Sequence, residues 1–122
     1  GHVVAELGPT IGACGFSSLA ATPAWLATDT AKAFTRAYIK TRNYMNDASA
    51  SEIAKAEKPL FPNIDLEVLT DCIATYQAMG CWTRHIDITQ DGYDAMLNIF
   101  EYDGKLPQRY SYDQVCTLPP TV

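Results

Sequence analysis

From Thr28 onward, apolar residues recur along the chain at helical spacing. Ala31, Phe34, Tyr38 and Met45 fall on one face, three, four and seven residues apart, and predict a helix from about Thr28 to Asn46. Lys32, Arg36 and Lys40 form a basic stripe on another face. Ser49 and Glu52 stand three apart as a capping box, in which the Ser hydroxyl accepts from a backbone N–H and the carboxylate reaches back. A short helix from about Ala50 to Glu57 should follow, and Pro59 and Pro62 then enforce a loop. Asp65 suits the N-cap of a third helix with the apolar stripe Leu66, Leu69, Ile73, Tyr76 and Met79, and Gly80 supplies a left-handed stop. Thr89 should cap a fourth helix, from about Gln90 to Tyr102, with Tyr93, Met96, Leu97 and Phe100 as its buried face and Gly104 as its terminator. Ser111 and Gln114 repeat the capping pattern and predict a final helical turn before Pro119 and Pro120.

The first 27 residues break this pattern. Gly1, Gly8, Gly12 and Gly15 interrupt them, and Pro9 and Pro23 punctuate them. Between the prolines, Gly15 to Thr22 reads as an extended segment whose small residues let another backbone approach closely. A single strand cannot satisfy its own backbone groups, so it must join a sheet or pair with another chain. The expected fold is therefore mainly α with one or two N-terminal β-strands. A glycine-rich strand segment spans 1–27, and a helical subdomain of about four helices spans 28–122.

Composition narrows the function. The 122 residues suffice for one compact domain, and 48% hydrophobic with 19% charged residues is an ordinary globular balance. Fourteen acids against nine bases, a net charge of −5, disfavour nonspecific binding to nucleic acid, which needs clustered Lys and Arg. No apolar run approaches the ~20 residues of a membrane span. The N-terminus has no basic segment followed by an apolar one, so no signal peptide is read in this chain. Cys14, Cys72, Cys81 and Cys116 form no C-x-x-C pair, so no zinc site is expected. The first reading is buried free thiols, and one disulfide is the other.

No Ser-His-Asp order, phosphate-binding loop, dinucleotide glycine pattern or H-E-x-x-H motif is present. No catalytic residue, metal ligand or cofactor is expected. His85 and Asp87 lack a third ligand and read as surface residues after a helix. Trp25 and Trp82 read as packing anchors. Asp91, Asp94, Glu101 and Asp103 make an acidic flank on the fourth helix, solvated by default, with docking to a partner as the functional alternative.

The order of these features carries a resemblance. Gly8 and Pro9, then Gly15 to Leu26 with its Trp25-Leu26 pair, then Thr28 to Phe34 resemble the C-terminal third of the periplasmic substrate-binding proteins of ABC importers. The nearest group is the nitrate, sulfonate, taurine and thiamine-pyrimidine group, the NMT1/THI5-like type. Ile73, Tyr76, Gly80 and Trp82 stand at the spacing of the family's I..Y...G.W segment. Asp87 to Leu97, Gly104 to Leu106 and Tyr110 to Val115 resemble its closing motifs, while Thr28 stands where the family often has proline.

The resemblance implies a partial lobe of the type 2 periplasmic binding protein (α/β) fold, in a periplasmic or extracytoplasmic protein. It implies a small-molecule ligand and, in the intact protein, an ABC permease as partner. It places Cys14, Phe16 and Ser17 at a crossover facing the ligand cleft. A chain of this segment alone would pair its strand with a second copy as a strand-exchanged homodimer. Two alternatives stand beside this: an enzyme of the same fold, such as a pyrimidine synthase or desulfinase, and a self-contained helical interaction domain.

Overall fold

In the computed structural model, His2, Val4, Ala5, residues 7–12, 14–15 and 17–120 are described, the side chain of Pro9 excepted. Their regular structure is helical: α1 (Gly8–Ile11), α2 (Pro23–Leu26), α3 (Asp29–Asp47), α4 (Ala50–Glu57), a 3-10 turn (Lys58–Leu60), α5 (Leu66–Ala78), α6 (Gln90–Tyr102) and α7 (Tyr112–Val115). No helix among the described residues is long and apolar enough to cross a membrane.

Local chemistry explains where the helices begin and end. The Thr28 side chain accepts from the Ala31 N–H at 3.1 Å and opens α3. At α4 the capping box forms in full: Glu52 N–H donates to Ser49 Oγ, and Ser49 N–H donates to Glu52 Oε2 at 3.0 Å. Thr89 Oγ1 accepts from Gly92 N–H at 3.2 Å and opens α6. At α7, Gln114 Oε1 accepts from both the N–H and the hydroxyl of Ser111. Asp65 occupies the N-cap of α5 with extended backbone, but its side chain makes no capping bond. Gly80 and Gly104 take positive φ, 67° and 68°, just past α5 and α6, where an L side chain would be strained.

The expected N-terminal strand does not form among the described residues. That overturns the α/β lobe of the periplasmic binding protein fold, and with it the strand from which a strand-exchanged dimer was expected. Residues 18–22 are irregular and exposed. The physical reason lies in the prolines and in the missing partner. Pro9 and Pro23 stand in the first turns of α1 and α2, where a residue lacking an N–H and fixed near helical φ fits without loss. The Gly15 N–H donates to the carbonyl of Gly92 at the start of α6, at 3.0 Å, rather than to a neighbouring strand.

Two compact units account for the chain. The first joins residues 1–23 to 87–119, and the second joins 24–86 to 120–122. The second unit has a core of Ile53, Ala54, Leu69 and Ile73 where α4 meets α5, flanked by half-buried Met45, Ala48, Ala50 and Trp82. Trp82 packs edge-on against Tyr76, with centroids 5.7 Å apart. Gln77 Nε2 donates to the carbonyls of Met45 and Ala48, tying α5 to the end of α3. On α3 the buried residues are Ala31 and Thr35, whose hydroxyl bonds back to the Ala31 carbonyl. Phe34 stays exposed, stacked on Tyr38 and edge-on to Trp25. The first unit buries Tyr93 and Leu97 of α6, while Met96 is half-buried and Phe100 exposed.

The Glu52 carboxyl lies below its ordinary pKa because the Ser49 hydroxyl and N–H bond to its charged form. A lowered folded pKa contributes stability that is complete above the unfolded value and lost as pH falls through the folded one. Urea midpoints of the wild type and Glu52→Gln should therefore differ most near pH 6 and converge toward about pH 3. A constant gap over that range would show that the carboxylate charge is not what the cap uses.

Candidate functional site

The sequence singles out Cys14, Phe16 and Ser17, and the fold places this segment in the first unit. Cys14 and Gly15 are half-buried, Ser17 is exposed in a bend, and Phe16 lies outside the described residues. The Gly15–Gly92 hydrogen bond holds the segment against the first turn of α6. Close approach explains the glycine pair. A Cβ on Gly15 would sit 3.4 Å from the Gly92 carbonyl oxygen, and one on Gly92 would press to 3.0 Å from the capping Thr89 Oγ1.

Tyrosines frame the same unit. Tyr93 on α6 and Tyr112 on α7 meet edge-on, with centroids 5.8 Å apart. The Tyr93 hydroxyl donates to the Tyr110 carbonyl at 2.9 Å, and the Tyr112 hydroxyl donates to the Ile88 carbonyl. Burial pushes the Tyr112 phenol above its usual pKa, and the neighbouring Cys116, Asp87 and Asp113 push it further. Burial likewise raises the Cys116 thiol. The Tyr112 shift favours the protonated phenol, the form in which it donates to the Ile88 carbonyl. All four cysteines are free thiols, but none is fully buried: Cys14 and Cys116 are half-buried, and Cys72 and Cys81 are exposed.

Other candidate groups find structural partners. Arg109 gathers the acidic flank of α6, donating to Asp94, Asn98 and Glu101 at 2.7–3.1 Å. Lys105 pairs with Asp103. Three of the four acids read as a docking flank thus already face a cation. Sequence reasoning passed over Arg109, although an acidic helix face followed by a lone Arg was the available signal. On α3, Lys32 pairs with Asp29, while Arg36 and Lys40 are exposed. His85 is exposed, and no group of three or more His, Cys, Asp or Glu among the described residues is placed to hold a metal ion.

The likeness to known proteins is to a binding protein. Over 117 residues the chain is 26% identical to "Putative binding protein YtlA" of Bacillus subtilis (strain 168), an alignment covering 94% of this chain and 35% of that protein. The chain thus spans about a third of the length of the curated relative it matches. No family model matches the chain. No solved structure matches it either.

Proposed function

We propose that this chain is part of the solute-binding component of an ABC importer, and that it binds a small nutrient rather than transforming one. The single observation that carries this reading is the alignment running along 94% of the chain to a protein named as a binding protein. The family spacing of Ile73, Tyr76, Gly80 and Trp82 supports the narrower group, whose ligands are nitrate, sulfonates, taurine and pyrimidine precursors. The permease partner and an extracytoplasmic location come with that proposal. Within the chain, Cys14, Phe16 and Ser17 are the proposed ligand contacts. Ser17 is exposed and able to donate a hydroxyl hydrogen bond to an oxyanion.

The test is isothermal titration of the complete polypeptide with taurine, alkyl sulfonates, nitrate and thiamine-pyrimidine precursors. One of these should bind one-to-one, and Ser17→Ala should weaken it about five- to tenfold, the loss of one hydrogen bond. The 122-residue chain by itself should bind weakly or not at all. Silence across all four ligand classes, or turnover of any of them, would overturn the reading.

A further inference from the structure

Helix α5 is apolar on two faces, and the second unit covers only one of them. Leu69 and Ile73 point into the core formed with α4. A second stripe, Val68, Cys72, Thr75, Tyr76 and Met79, runs along an arc about 100° wide beside the first. This arc faces outward: Val68 is 52% exposed, Met79 56%, and Tyr76, though Trp82 packs against it, 50%. A shallow depression lined by Asp71, Cys72, Thr75 and Tyr76 lies along it. The polar positions Glu67, Thr70, Asp71 and Gln77 lie on the other side of α5, so its apolar arc is wider than the contact with α4 covers, and a contiguous exposed apolar patch of this kind marks a contact surface.

We infer that this outer face of α5 docks against the remainder of a longer polypeptide, on an apolar segment edged with Lys or Arg. Two observations choose that occupant. The first is length: the curated relative aligned with 94% of this chain has about two-thirds of its length outside the match. The second is charge. Asp71 lines the depression beside the face, Glu67 lies farther round the helix, and α5 contains no Lys or Arg. A two-fold pairing of identical α5 faces would bring an Asp71 from each copy to the seam with no base from either helix, which disfavours a second copy as occupant. An occupant from elsewhere in the chain supplies bases without that conflict. The inference rests on the proposed function only in treating the chain as part of a longer protein.

Cys72, a free and exposed thiol within the face, reports its occupancy directly. Its alkylation rate by iodoacetamide is read by mass spectrometry in two proteins: the 122-residue chain and the polypeptide of the complete open reading frame. Cys81, also free and exposed, is the internal reference. In the short chain the two thiols should react alike. In the complete polypeptide Cys72 should slow at least about tenfold relative to Cys81. An unchanged ratio overturns the inference, as does an open reading frame that adds no further chain. Slow Cys72 alkylation already in the short chain overturns it too, and a dependence on protein concentration would then assign the face to a second copy. Ligand titration of the same preparations separates the two proposals. Protection of Cys72 without ligand binding retires only the functional reading, and ligand binding with Cys72 open retires only this inference.

Discussion

Ile53→Ala should destabilise the second unit by about 3 kcal/mol, within the 2–5 kcal/mol typical of truncating a buried isoleucine. Ile53 is 1% exposed and is the largest fully buried side chain among the described residues. Its neighbours give the cavity little means of closing. Ala54, Ala48 and Ala50 have no reach to spare, and Leu69 and Ile73 are fixed on α5. Stability of about 0.05–0.15 kcal/mol per residue gives a unit of this size only a few kcal/mol in total, so this one substitution removes much of it. Urea unfolding followed by tryptophan fluorescence is the measurement, since Trp82 packs against the same core. The midpoint should fall with the slope unchanged. Leu60→Ala is the control: Leu60 is largely exposed and should shift the midpoint by no more than about 0.5 kcal/mol. Equal effects from the two substitutions would mean that the α4–α5 contact is not the core.

Tyr93→Ala should have a comparable effect on the first unit, about 3–4 kcal/mol. Tyr93 is 4% exposed, packs edge-on against Tyr112 and anchors the Tyr110 carbonyl through its hydroxyl. Tyr93→Phe keeps the ring and removes only that hydrogen bond, and should cost about 1 kcal/mol. Amide hydrogen exchange across α6 and α7 reads both changes. Exchange should accelerate strongly in the alanine variant and slightly in the phenylalanine one. Equal acceleration would assign the anchoring to the hydroxyl alone and remove ring packing from the account.

Helix boundaries were the legible part of this sequence because short-range chemistry sets them. Ser49 with Glu52 and Thr89 cap the helices they were expected to cap, Thr28 caps the helix expected to begin at it, and Gly80 and Gly104 take the left-handed turns. Which face of a helix is covered depends on residues far along the chain, and there the pattern alone misled. Phe34, Tyr76 and Met79 lie on predicted apolar stripes yet are exposed, while Thr35 is buried. The segment from Gly15 to Thr22 failed as a strand for the same reason. Extended structure needs a partner ladder, and the glycines and prolines that suggested an edge serve equally to start helical turns and to let Gly15 approach Gly92. For the segment proposed as the candidate site, nothing in the sequence signalled its contact with α6, which joins residues 77 positions apart.

That separation bears on how the protein is made. The first unit is discontinuous, and residues 24–86 of the second lie between its two halves. The ribosome therefore releases the Gly15 segment well before its partner at Gly92 exists. At about 5–20 residues per second the wait is roughly 4–15 s. The α4–α5 core, by contrast, is formed by residues close in sequence and can assemble as soon as it emerges. Early folding of this middle stretch shortens the flexible tether the first unit must close, and so lowers the loop entropy of bringing its halves together. Cys14 and Gly15, half-buried in the finished unit, therefore stay uncovered for those seconds, whereas residues 18–22 are as exposed afterwards as before.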